Sequence, residues 1–232
     1  MDIYGQALSD YYNNKFTDTL WINNSYAEAE EMPVDVFFRS QDEMPDIELL
    51  ALENCKGKIL DIGAGAGSHA LLLQQHKFDV SAIELSSTAC HVMELRGVKK
   101  VINTNIFDYE AAKFDTLLLL MNGIGLCGTI DGLKAFLRNT RKLLKKNGQL
   151  LFDSSDIAYL YEEGIKKPES YYGEITFQYE YKSQKGEWFK WLYVDQNTLK
   201  KIASEERWSL EILMEDEDDQ YLAKMQPMEN AL

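Results

Sequence analysis

The stretch that most constrains this chain runs from Lys58 to Leu73: Lys-Ile-Leu-Asp-Ile-Gly-Ala-Gly-Ala-Gly-Ser-His-Ala-Leu-Leu-Leu. A short apolar run ending near Asp61 reads as a buried parallel strand. Gly63, Gly65 and Gly67 follow at alternate positions, and an apolar helical pattern then begins. Strand, glycine turn and helix form the opening unit of a doubly wound α/β sheet. Glycine permits positive φ and lets a ligand approach the backbone with no Cβ in the way. The helix N-terminus behind the turn is expected to present free N–H groups to a polar ligand.

A dinucleotide-binding turn requires Gly-x-Gly-x-x-Gly. Here the third glycine comes one residue early, at Gly67, and Ser68 follows it. This spacing, with Asp61 two residues ahead of Gly63, resembles motif I of the class I S-adenosylmethionine-dependent methyltransferases. The resemblance extends over about residues 46–225. It implies S-adenosylmethionine as cofactor and S-adenosylhomocysteine as product. It also implies a three-layer αβα Rossmann-like sandwich, whose seven-stranded sheet is mostly parallel with an antiparallel last strand.

The chain has 232 residues, room for one large domain or a domain with a cap. Its formal net charge is −14, and its isoelectric point is about 4.7. Such a surface repels phosphates and disfavours a nucleic-acid substrate. Lys145-Lys146 and Lys166-Lys167 are only pairs. Cys55, Cys90 and Cys127 lack metal-ligand spacing, and no metal is expected; an odd count suits a reducing, cytoplasmic setting. No signal peptide is visible, and the longest apolar run, Thr116 to Met121, is far too short to span a bilayer.

Residues 1–45 do not read as part of a parallel sheet. Tyr4 to Tyr12 reads as a short helix, and Trp21, Tyr26, Phe37 and Phe38 make the segment aromatic. The resemblance implies an N-terminal helical lid here, with residues 46–232 forming the cofactor-binding domain. The same aromatics also suit a plain cover over one core edge. Arg39 and Tyr4 are candidates for substrate contact.

Asp46 to Asn54 reads as a helix. The second strand, Asp79 to Ile83, ends at Glu84, followed by Leu85. A carboxylate at that strand end can accept two hydrogen bonds from vicinal ribose hydroxyls. This chemistry fits the cofactor and NAD alike. Ser86-Ser87 caps a helix that ends at Gly97. After a third strand, Lys100 to Thr104, come Asn105, Ile106 and Phe107. The resemblance implies that this turn meets the adenine, although the family usually carries Asp at the place of Asn105. Asp108 is an alternative with a poorer offset, and Asn105 also reads as a plain turn residue.

The buried fourth strand, Phe114 to Met121, ends in Asn122-Gly123-Ile124-Gly125, so Met121, Asn122 and Gly123 join the expected cofactor site. The chain lacks the Asn-Pro-Pro-Tyr of relatives that methylate amide or adenine nitrogens. Cys127 reads as a small packing residue. Ile130 to Leu144 is an amphipathic helix, and Gln149 to Phe152 a fifth strand. Asp153, Ser154, Ser155 and Asp156 stand at its end; either Asp reads as a pocket residue, and Ser155 or Asp156 also reads as a helix cap.

An inserted β-hairpin follows over about 173–194: Glu174 to Lys182 and Glu187 to Val194, joined by Gln184-Lys185-Gly186. Asp195 to Arg207 reads as a helix, and Trp208 to Met214 and Gln220 to Met225 as two final strands. The acids Glu215 to Asp219 between them read as a solvated turn.

The function implied is methyl transfer to an unidentified small-molecule acceptor, by a monomer or homodimer with no nucleic-acid or membrane partner. Cofactor contacts are expected from Asp61, Gly63, Ala64, Gly65, Gly67, Glu84, Leu85, Asn105, Ile106, Phe107, Met121, Asn122 and Gly123. No general base announces itself. His69 reads as structural, and His76 and His91 as surface residues. Three rivals stand beside this reading: a macromolecular methyltransferase, a non-catalytic nucleoside-binding or scaffold member, and an NAD-dependent oxidoreductase.

Overall fold

The computed structural model describes residues 1–24, 27–161 and 167–228. Tyr26 and Lys166 lie outside the described residues. The chain divides into two compact units: residues 1–45, 60–109 and 176–189 in one, and 46–59, 110–175 and 190–232 in the other.

In chain order the elements are helix α1 (Ile3–Tyr12), strands β1 (Trp21–Asn24) and β2 (Glu30–Glu31), α2 (Asp46–Glu53), β3 (Lys58–Ile62), α3 (Ser68–Gln75), β4 (Asp79–Glu84), α4 (Ser87–Arg96), β5 (Val101–Asn103), β6 (Phe114–Leu119), α5 (Ile130–Thr140), β7 (Leu144–Ser155), β8 (Glu174–Tyr181), β9 (Gln184–Lys185), β10 (Phe189–Leu192), α6 (Gln196–Glu205), β11 (Trp208–Glu215) and β12 (Gln220–Pro227). Seven strands are hydrogen-bonded in the order β11-β12-β7-β6-β3-β4-β5. The last strand, β12, runs antiparallel to both of its neighbours, β7 and β11. The fold is the expected mostly parallel sheet flanked by helices.

In the first unit, α1 is a core element. Ile3, Ala7 and Leu8 are buried with Leu20, Val34, Ala66, Ala89, Val92 and Tyr181. The N-caps of α1 and α4 meet: Asp2 Oδ1 accepts from Gly5 N at 2.9 Å, and Ser86 Oγ donates to Asp2 Oδ2 at 2.6 Å. A Cβ on Gly5 would collide with Ser86 Oγ, so glycine inside this helix permits the approach. β1 pairs antiparallel with β2 and with β8, setting Ile22 opposite Tyr179. The N-terminal segment thus stays out of the parallel sheet but supplies strands to a second, antiparallel one.

The inserted hairpin turns earlier than expected. Lys182 and Ser183 both have positive φ, 51° and 58°, and Gln184 already pairs with Tyr181. Tyr181 Oη donates to Asp10 Oδ2 at 3.2 Å, and Lys182 Nζ lies 2.7 Å from the same oxygen. Those tertiary bonds hold a two-residue turn at positions that lack the usual Asn-Gly signal.

In the second unit, β6 and β7 pair in parallel, and Leu117, Leu118, Leu150 and Leu151 are fully buried. β7 is longer than its apolar run. It starts at Leu144, where α5 gives way to a short 3-10 turn at Arg141–Leu143. The acidic segment before β12 is an Asx turn, as Asp216 Oδ1 accepts from Asp218 N and Gln220 N at 3.0 and 2.9 Å. Among the described residues, no helix is long and apolar enough to cross a membrane.

Candidate active site

Gly63, Gly65 and Gly67 all adopt the left-handed conformation, with φ of 69°, 56° and 85°. The turn consumes its own donors. Gly63 N and Ala64 N both donate to Ile83 O, at 2.9 and 3.2 Å, and Gly67 N donates to Ala64 O at 2.8 Å. Gly65 N donates to Glu84 Oε2 at 3.1 Å. These four N–H groups are thus satisfied within the protein, ahead of the helix N-terminus at Ser68.

Glu84 is held from three sides. Besides Gly65, Leu85 N and Ser86 N donate to its Oε1, at 2.8 and 3.0 Å. Burial raises its pKa, while these three N–H groups oppose the shift. Asn103 Nδ2 fixes the same strand end through the carbonyls of Glu84 and Leu85, at 3.0 and 2.9 Å. Leu85 itself is 70% exposed, a large apolar side chain open to solvent. Asp61 is buried, and among the described residues its Oδ2 has no hydrogen-bond partner. Burial lifts its pKa to about 6, against the opposing influence of His69 and the Ala70 N–H.

Tyr4 of α1 lies over the turn. A Cβ on Gly65 would come within 2.7 Å of the Tyr4 hydroxyl and 3.6 Å of Phe37 Cδ1. Tyr4 meets Phe37 edge-on at 5.3 Å and stacks on Tyr179 at 5.5 Å. The signal for this role was present in the sequence as an aromatic N-terminal segment, but no spacing rule tied Tyr4 to Gly65. At the third strand end, Asn105 Oδ1 accepts from Phe107 N at 3.0 Å and caps the short turn Ile106–Asp108. Ile106 is buried, whereas Asn105 and Asp108 are exposed.

In the second unit, Met121 and Asn122 are both left-handed, with φ of 60° and 53°. Two successive non-glycine residues in this region carry strain. Asp153, fully buried at the end of β7, holds them: its Oδ1 and Oδ2 accept from Asn122 N at 2.9 and 2.8 Å. Gln220 Nε2 donates to Asp153 Oδ2 at 2.7 Å. Burial raises the Asp153 pKa to about 6, with the nearby Glu48 pushing the same way. Asn122 Oδ1 is buried without a partner. Gly123 is buried, and Gly125 has no room for a Cβ because the Trp191 indole occupies that place. Asp156 is a cap: its Oδ1 accepts from Ala158 N at 2.9 Å and Tyr172 Oη at 2.7 Å. Cys127 is buried, and burial pushes its thiol up, far from a thiolate. His69 is buried, while His76 and His91 are exposed. Among the described residues, no group of three His, Cys, Asp or Glu side chains is placed to hold a metal ion.

A sequence profile of the methyltransferase domain family matches residues 39–216. A crystal structure of an S-adenosylmethionine-dependent methyltransferase from Bacteroides fragilis, solved with S-adenosylhomocysteine, is 41% identical. It covers 97% of this chain and 94% of its own, with a TM-score of 0.91. The chain is an S-adenosylmethionine-dependent methyltransferase. More distant methyltransferase structures share the fold alone. The CcbJ methyltransferase of Streptomyces caelestis is 12% identical, with a TM-score of 0.63 over 83% of this chain and 95% of its own. A DhpI–SAM–HEP complex is 16% identical, with a TM-score of 0.65 over 97% of this methyltransferase and 94% of that chain. None of the curated proteins matches the methyltransferase in sequence. Family membership sets aside the oxidoreductase reading.

Proposed function

We propose that this methyltransferase acts on a small-molecule acceptor, and that its glycine turn and Glu84 hold the nucleoside cofactor. The observation that carries the acceptor class is charge. The chain has a net charge of −14, and in its densest basic run, Arg141-Lys142-Leu143-Leu144-Lys145-Lys146, Lys145 is neutralised by Asp115 at 2.6 Å. A polyanionic substrate finds no attractive field on such a surface. The buried free cysteines agree with a reducing, cytoplasmic setting.

The residues fit the cofactor in kind. S-adenosylmethionine, when bound, supplies a methyl group already activated on a sulfonium. The chain then has to orient two reactants and exclude water. Glu84 accepts from the ribose hydroxyls with its remaining lone pairs. Asp61, buried and short of one partner, orders the turn and balances the ammonium of the methionine part. Gly63, Ala64, Gly65 and Gly67 cradle that part without side chains in the way. Leu85, Ile106 and Phe107 flank the adenine, with Asn105 at its edge. In the second unit, Met121, Asn122 and Gly123, just past the end of β6, are its own candidate cofactor contacts. Tyr4 and Phe37 form an aromatic cover on the turn, which gives the N-terminal segment a lid-like role.

Calorimetric titration with S-adenosylmethionine, S-adenosylhomocysteine and NAD tests the cofactor half. Micromolar-range binding of the first two, no binding of NAD, and a large loss in Glu84→Ala are expected. Methyl-labelled cofactor offered with a small-metabolite extract, bulk RNA and denatured protein tests the acceptor half. Label in the small-molecule fraction is expected; label in RNA or protein would sink the acceptor class.

A further inference from the structure

Arg96, the last residue of α4, stands outside every role assigned above, yet it binds the glycine turn directly. Its Nη1 donates to Ala66 O at 2.6 Å, to Ser68 Oγ at 3.2 Å and to Phe37 O at 3.3 Å. Its Nη2 donates to Phe38 O and to Ser68 Oγ, each at 3.3 Å. The guanidinium also lies 4.8 Å from the centre of the Phe38 ring. Ser68 Oγ closes the network by donating to Phe37 O at 2.8 Å. One planar fork therefore fixes three carbonyls from two segments. One carbonyl belongs to the glycine turn; two belong to the segment that places Phe37 against Tyr4 and Gly65. A lysine, with a compact ammonium, cannot match this spread of directions.

We propose that Arg96 is a positioning residue for the cofactor: it sets the glycine turn and its aromatic cover as one unit, and so governs how tightly the amino-acid end of the cofactor is held. The proposal rests on the reading that the turn cradles the methionine part and Glu84 the ribose. Arg96 acts through Ala66 and Phe37 and not by touching the cofactor. Neutralising or shortening it loosens the turn and the cover together, while the Glu84 strand end keeps its bonds to Leu85, Ser86 and Asn103 and gives up at most the one from Gly65.

The test compares two probes by calorimetry. S-adenosylhomocysteine carries the amino-acid tail; 5′-methylthioadenosine has the same nucleoside without it. Arg96→Ala is expected to weaken S-adenosylhomocysteine by about 10-fold or more while changing methylthioadenosine by less than about twofold. A general structural role would weaken both probes alike, and an idle arginine would change neither; either result overturns the proposal. Should Arg96→Ala fail to fold, Arg96→Lys keeps the stem and charge and carries the same ratio, with a smaller shift in the same direction. Glu84→Ala, run alongside, is expected to weaken both probes. If it changes neither, the cofactor reading itself fails and the proposal falls with it. If Glu84→Ala weakens both and Arg96→Ala also weakens both equally, only the role of Arg96 is lost.

Discussion

Glu84, half-buried, and Asp153, fully buried, are both carboxylates near strand ends, both clasp backbone N–H groups, and both have raised pKa values. They differ in the backbone that they hold. Glu84 binds Gly65, whose left-handed φ costs a glycine almost nothing. Asp153 binds Asn122, where the left-handed pair Met121-Asn122 has no glycine. One unit reaches its turn through composition. The other reaches a similar turn through force, with a buried charge keeping strained residues in place. A turn built from glycine announces itself in the sequence; a turn enforced by a distant carboxylate does not.

The largest expected effect tests the buried charges themselves. The pKa of Asp61 is raised from 3.8 to about 6. Between those values the native state holds the proton that the unfolded chain has released. Its stabilising share is complete below the unfolded value and is lost as pH rises through about 6. Asp61→Asn should therefore stabilise the unliganded protein at pH ~8 by about 3 kcal/mol, and should flatten its pH dependence between ~4 and ~6. Urea unfolding across pH measures this. The same variant should bind S-adenosylhomocysteine more weakly, because the tail's ammonium loses its counter-charge. An unchanged pH profile would show that Asp61 carries no titrating burial cost in the native state.

Next comes the glycine turn. Gly65→Ala puts a Cβ against the Tyr4 hydroxyl at a φ of 56°. The combined clash and left-handed cost should weaken S-adenosylhomocysteine by about 100-fold. Wild-type affinity would mean that the turn has slack and that the contrast with the Asp153 clamp is overstated.

The clamp is then cut directly. Asp153→Ala leaves the Asn122 N–H and the Gln220 amide without their acceptor and should cost about 2 kcal/mol in denaturant unfolding. Asp153→Asn retains one acceptor oxygen and removes the buried charge that raises the Asp153 pKa to about 6, so at pH ~8 it should recover all of that loss. Equal losses in both variants would show that charge, rather than the acceptor, holds the turn.

The smallest effect addresses strain. Asn122→Gly should stabilise the fold by about 0.5 kcal/mol, since glycine accepts the left-handed φ that Asn122 tolerates only with help. Turnover, followed with whatever acceptor the label screen yields, should fall because the buried Asn122 Oδ1 is gone. Stabilisation without any loss of turnover would leave the strain without a use.

Much of the fold was legible. The parallel strands are apolar runs, the helices have capping residues, and the terminal hairpin follows its turn signal. What escaped was set by partners far along the chain. β1 forms because β8, more than 150 positions later, supplies its edge. The hairpin turn at Lys182-Ser183 answers to Asp10 rather than to local turn chemistry. The site divides in the same way. Gly65 and Glu84 could be named from spacing, whereas Tyr4, Arg96 and Asp153 meet their backbone targets only through packing.

By itself, the sequence determined the sheet class, the glycine turn and the carboxylate beside it, because those depend on backbone freedom and short-range periodicity. The tertiary structure alone decided where the turn's donors go, which arginine and which tyrosine close on it, and how Asn122 is held out of its preferred conformation. Hydrogen bonds between distant residues leave no period in a sequence. They exist only when the core has brought their partners within 3 Å or so of each other.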